Sequence, residues 1–106
     1  MTDKSQAEVL QKLQVLEQTL HAQSAQRASM QSQLMEIENA SGELSSAKES
    51  YRIIGNIMVK AEPSKLKAEL DERKASLQAR ISAVERQDKK LREEMERMQQ
   101  SILGAA

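Results

Sequence analysis

Tyr51-Arg52-Ile53-Ile54-Gly55-Asn56-Ile57-Met58-Val59-Lys60 is the one stretch of this chain that does not read as helix. β-branched residues flank a Gly-Asn pair, and a two-residue loop opening with Gly suits the tight reversal of a β-hairpin. The spacing sets Ile54 across the turn from Ile57, Ile53 beside Met58, and Tyr51 beside Lys60. Apolar side chains then fall on both faces of a two-stranded ribbon. An isolated hairpin is marginal in water, so this one is expected to need partners.

The rest of the composition is that of long helices. The chain has 106 residues with one aromatic (Tyr51), no Cys, Trp or Phe, and a single Pro. Aromatics supply much of the burial in a compact core, so their scarcity argues against an ordinary globular fold. Charged residues make up 30%, and Ala, Glu, Lys, Leu, Gln, Arg and Ser dominate, as in coiled coils.

Lys plus Arg equals Asp plus Glu at 16 each, so no net charge draws the chain to nucleic acid or to an anionic membrane. Without cysteine there is no disulfide and no thiolate metal site. No segment reaches the roughly 18 consecutive apolar residues of a membrane span, and Met1-Thr2-Asp3-Lys4-Ser5 lacks the apolar core of a signal peptide. A soluble cytoplasmic protein is the expectation.

Before the hairpin, Ser5-Gln6-Ala7-Glu8 has capping-box spacing. A seam then runs Val9, Leu13, Leu16, Leu20, Gln23, Arg27, Met30, Leu34, Ile37, Ser41, Leu44 in steps of four and three, the heptad rule of a coiled coil. From Val9 to Leu44 it covers on the order of 50 Å. Gly42 and the serines Ser45, Ser46 and Ser50 mark a soft exit.

After the hairpin, Pro63 suits a first helical position. A second seam follows: Leu70, Lys74, Leu77, Ile81, Val84, Asp88, Leu91, Met95, Met98, Ile102. Glu69 to Arg73, Glu85 to Lys89 and Glu93 to Arg97 are i,i+4 pairs in the favourable order. The connection is too short for parallel pairing, so the helices fold back antiparallel. Position a then faces d wherever residue numbers sum to 111, as in Leu13 with Met98, Leu20 with Leu91, and Leu34 with Leu77. The same sum is centred on Gly55-Asn56. A register summing to 118 also obeys the rule but is off-centre from the turn, so 111 is preferred.

Gln23, Arg27 and Asp88 are polar seam positions that this register brings together. They read as a register-fixing layer or, alternatively, as a point where the coil bends or parts. Leu10, Val15 and Leu103 lie off the seam, close to Val9, Leu13, Leu16, Met95, Met98 and Ile102. The helix ends far from the hairpin are therefore apolar on more than one face. Such patches mark interaction sites, and Met adapts to varied partners; a terminal knot that closes the coil is the alternative. Leu66 is read as core beneath the hairpin. His21 stands alone as a surface residue with no second His or Cys to form a metal set. No Ser has a credible base, and no Gly-rich loop cradles phosphate. Neither catalytic, metal nor cofactor site is expected.

The order helix, single hairpin, helix resembles the beta class of the prefoldin family in its archaeal form. The residues carrying the resemblance are Tyr51 to Lys60 as quoted, then Leu77, Ile81 and Val84-Glu85-Arg86-Gln87-Asp88-Lys89-Lys90-Leu91-Arg92-Glu93. It implies a hexamer of two alpha and four beta subunits whose hairpins join in a β-barrel body, with paired helices as tentacles. It also implies that the tentacle ends hold unfolded proteins without nucleotide and pass them to a group II chaperonin.

The expectation is thus a mainly α chain with a small β element. Residues 5–47 and 63–103 form an antiparallel two-helix coiled coil, joined by a hairpin at 51–60 that enters an oligomeric barrel, in one domain spanning 1–106. Under the resemblance, Tyr51, Ile53, Ile54, Ile57, Met58 and Val59 assemble subunits. Val9, Leu10, Leu13, Val15, Leu16, Met95, Met98, Ile102 and Leu103 hold clients. A structural coiled-coil adaptor for one defined folded partner is the alternative function.

Overall fold

The computed structural model describes residues 3–105. The order is α1 (Asp3–Ser46), β1 (Ser50–Ile54), β2 (Ile57–Ala61) and α2 (Pro63–Ala105), a mainly helical chain with one two-stranded antiparallel sheet. α1 already begins at Asp3, so Ser5 lies inside the first turn and does not cap the helix as its spacing with Glu8 suggested. Asp3 and Lys4, upstream of Ser5, are already helical, and a cap motif inside a helix goes unused. At the other end the helix tolerates Gly42 and closes with the Ala47 amide donating to the Leu44 carbonyl at 3.3 Å. α2 starts where Pro63 predicts: the Lys65 and Leu66 amides both donate to the Glu62 carbonyl at 3.1 Å, which makes Pro63 the first helical residue.

The chain divides into two compact units. The first holds α1 up to Ala28 together with α2 from Ser82 onward; the second runs from Ser29 to Ile81 and contains the hairpin. In both, every seam position named from Val9 to Leu44 and from Leu70 to Ile102 is buried or half-buried. The heptad pattern therefore reports the packed stripe correctly.

In the second unit the core is Met30, Ile37, Leu77 and Ile81, between 3% and 9% exposed. Lys74 Nζ lies 3.7 Å from Glu38, and Lys67 Nζ donates to Ser45 Oγ at 2.9 Å. Both contacts pair residues whose numbers sum to 112, within one of the turn-centred register and far from 118.

The hairpin has that register without deviation: Ser50 pairs with Ala61, Tyr51 with Lys60, Arg52 with Val59, Ile53 with Met58, and Ile54 with Ile57. Gly55 has φ of 61°, and among the described residues no non-Gly residue has positive φ. Positive φ confined to the first loop residue is the pattern of a type II′ reversal, whose twist matches antiparallel strands. At the open end the buried Ser50 hydroxyl donates to the Ala61 carbonyl at 2.6 Å, so the strand pair is pinned at its base as well as at its turn.

Candidate functional site

Alternation along the strands puts Ser50, Arg52, Ile54, Ile57, Val59 and Ala61 on one face of the hairpin and Tyr51, Ile53, Met58 and Lys60 on the other. Towards the base of the first face Ser50 is buried and Arg52 half-buried. Arg52 pairs with Glu69 of α2, and the hydrogen bond it donates to that carboxylate, then the carboxylate's charge, hold the guanidinium above its ordinary pKa. This pair ties the ribbon to the helix. Glu49 accepts from the Tyr51 hydroxyl at 3.1 Å and lies 3.9 Å from Lys60 Nζ.

Towards the turn none of the described residues covers the apolar side chains. Ile53 is 71% exposed, Ile57 66% and Met58 65%, with Tyr51, Ile54 and Val59 also exposed. All six predicted assembly residues therefore stand open in the single chain. Burying one such aliphatic side chain is worth about 1.5–3 kcal/mol, so five together supply a gross term of roughly 10 kcal/mol. That is large enough to survive the losses of association. Both strands are also edge strands, with main-chain groups free for pairing.

Beneath the hairpin lies a groove of about 570 Å³, with Leu44, Ile53, Leu66 and Leu70 among its apolar walls and Glu43, Arg52 and Arg73 among its charged ones. Leu66 is half-buried there, as expected. The groove itself was not legible from periodicity, because it arises where the ribbon lies over the helices.

In the other unit the structure sorts the predicted tip residues into three sets. Val15, Leu16 and Met98 line one open groove of about 380 Å³, rimmed by Glu8, Gln11, Lys12 and Glu94. Leu10 and Leu103 are exposed but line no part of it. Val9, Leu13, Met95 and Ile102 are half-buried in the seam. The rim residues were missed, although Gln11 and Val15 stand one turn apart on one helical face, a signal that could have found them. An apolar floor with charges of both signs at its edge suits an aliphatic or aromatic side chain from another molecule. One such side chain contributes about 1.5–3 kcal/mol gross, too little for stable capture by a single groove.

Among the described residues no three His, Cys, Asp or Glu side chains gather as a metal set, and no helix is long and apolar enough to cross a membrane.

Two antiparallel helices joined by a single, apolar, uncovered hairpin define a class: a subunit built to complete itself in an assembly. A family model described as prefoldin subunit matches residues 7–104, and the chain belongs to the prefoldin family, whose members are chaperone subunits and not enzymes. It is 37% identical over 93 residues to the prefoldin subunit beta of Archaeoglobus fulgidus, covering 85% of this chain and 80% of that protein. It is 33% identical to the beta subunit of Sulfolobus acidocaldarius, covering 88% of this chain and 77% of the other. The crystal structure of the prefoldin beta subunit from Thermococcus strain KS-1 superposes with a TM-score of 0.89 at 31% identity, covering 95% of this chain and 91% of that one.

Proposed function

We propose that this chain is a beta-class subunit of a cytoplasmic, ATP-independent holdase. Its hairpin joins those of alpha subunits and of other copies in a barrel, within a hexamer of two alpha and four beta subunits. Its helix ends hold non-native proteins and deliver them to a group II chaperonin. The observation that carries this reading is the presence of a separate exposed apolar surface in each unit. Ile53, Ile57 and Met58 provide one, and the Val15–Leu16–Met98 groove provides the other.

The first surface is strong enough for permanent burial, and closing a barrel removes the edges of both strands. The second is weak at each contact, so several arms on one body must act together, which raises avidity without new contacts. Weak, repeated aliphatic contact also fits clients that have no common shape. Release to the chaperonin is then possible without nucleotide, because no single contact is tight.

The test mixes the chain with an alpha-type subunit and follows aggregation of an unrelated denatured enzyme without ATP. Suppression is expected near stoichiometric ratios, with refolding once a group II chaperonin and ATP are added. Deleting 1–16 and 98–106, which removes Val15, Leu16 and Met98, should abolish suppression and leave the assembled mass otherwise intact. No suppression at several-fold excess, or tight binding of one folded partner in its place, would overturn the holdase reading in favour of an adaptor.

A further inference from the structure

Gln23, Arg27 and Asp88 occupy seam positions where a coiled coil ordinarily carries apolar side chains, and neither apolar surface uses them. Asp88 is 4% exposed and accepts one hydrogen bond, from Arg27 Nη1 at 3.3 Å. Its other carboxylate oxygen, Oδ1, and the buried Oε1 of Gln23 find no hydrogen-bond partner among the described residues. An ion pair buried with unsatisfied oxygens returns little beyond the cost of desolvating it. Separating the helices at this layer gives both oxygens back to water, so the layer contributes little to holding them together.

The seam on either side differs in what separation costs. Towards the helix ends, Leu13, Leu16, Leu20, Leu91, Met95 and Met98 are only half-buried, and parting them exposes less new apolar surface than parting fully buried side chains. In the other direction the chain runs on to Met30 and Ile81 of the hairpin unit, 3% and 8% exposed. Separation there would bring both into water. Opening that begins at the helix ends therefore passes the polar layer at little added cost, and meets its first large cost at Met30 and Ile81.

We propose that Gln23, Arg27 and Asp88 set the depth to which the helix pair opens. Its ends part up to and through this layer, and it stays closed from Met30 and Ile81 onward. From Asp3 to Gln23 that is on the order of 30 Å of helix. Opening uncovers the seam faces of Leu13, Leu16, Leu91 and Met95, which enlarges the apolar surface beyond the groove. That clients use this surface rests on the proposed function; the opening itself does not. The three are positioning residues, because they act through the seam.

The chain has no cysteine, so spin labels on introduced cysteine pairs can report helix separation as distances by double electron–electron resonance. Gln18→Cys/Glu93→Cys labels exposed sites in the helix-end unit, and Glu36→Cys/Ala75→Cys exposed sites in the hairpin unit. The first pair should give a broad distribution with a long-distance component, the second one narrow distance. In a Gln23→Leu/Arg27→Leu/Asp88→Leu background the long component should fall by about fivefold or more, with the second pair unchanged. Arg27→Leu/Asp88→Leu, which keeps Gln23, should give a smaller fall and decides the matter if the triple variant misfolds. A single narrow distance for the first pair in the native layer, or a long component that survives the substitutions, overturns the proposal. Suppression of client aggregation should fall together with the long component. Unchanged suppression once that component is lost overturns the use of the opened seam by clients. Absence of suppression with the native layer strikes the proposed function alone, and the measured distances still decide the opening.

Discussion

In the unit that carries the hairpin, the seam side chains Met30, Ile37, Leu77 and Ile81 are 3–9% exposed. In the other unit Leu13, Leu16, Leu20, Leu91, Met95 and Met98 occupy equivalent heptad positions but are only half-buried. There, among the described residues, the buried side chain is a carboxylate, Asp88, 4% exposed. One sequence rule thus produces two different interiors. The first unit to be named has four buried apolar side chains among half-buried neighbours such as Leu34, Leu44 and Leu70, and an exposed ribbon. The second has a thinner seam, a charged layer and an open groove. Local stability follows buried apolar contact, so the hairpin unit is the firm part and the helix-end unit the yielding one. Under the proposed function, that division suits a body that stays assembled and a surface that accepts clients of differing shape.

The largest effect that could break this comparison is on assembly. Ile53→Asp with Ile57→Asp should abolish complex formation with an alpha-type subunit, read as mass by sedimentation. The helical content of the chain should remain, because both side chains are exposed before assembly. A complex of unchanged mass would show that the hairpin is not the joining surface.

Next in size is stability. Leu77→Ala removes a side chain that is 6% exposed and should cost about 2–5 kcal/mol in denaturant unfolding. Leu16→Ala removes one already half in water, and should cost about half of that or less. Equal losses would erase the contrast between the units. Client holding should rank the other way, falling with Leu16→Ala and persisting with Leu77→Ala wherever the protein remains folded.

The smallest effect concerns the tie between ribbon and helix. Arg52→Ala removes an ion pair whose side chains are 39% and 51% exposed, and such pairs contribute little. The unfolding midpoint should barely move, and the change should fade with added salt. The raised Arg52 pKa would favour the fold below its unfolded value and lose that contribution only above its folded one. Both lie beyond the alkaline range, so the guanidinium should add no pH dependence near neutrality.

The seam and the hairpin were readable because each rests on a strong local period. Val9 through Leu44 repeat at heptad spacing, Gly55-Asn56 admits a tight reversal, and both agree on one register that the strand pairing reproduces. Exposure of Ile53, Ile57 and Met58 followed from apolar residues on alternating positions of a ribbon with no second sheet to cover it. What escaped were features created by two elements at once. The groove under the ribbon needs Leu44, Ile53 and Leu66 from three separate elements. Depth of burial also escaped, since a heptad assigns Leu16 and Leu77 the same role while the structure buries only the latter. Ser5 misled because a cap motif says where a helix can begin, and this helix already includes Asp3 and Lys4.

The claim that the two apolar surfaces do different jobs is tested most directly by photo-crosslinking a denatured client to the assembled protein. The crosslinker is placed singly at Leu16, Met98, Met58 or the exposed Met35. Client adducts should form at Leu16 and Met98 and be absent at Met58, which the assembly covers, with Met35 near background. Adducts at Met58, or equal yields at Met35 and Leu16, would contradict the account.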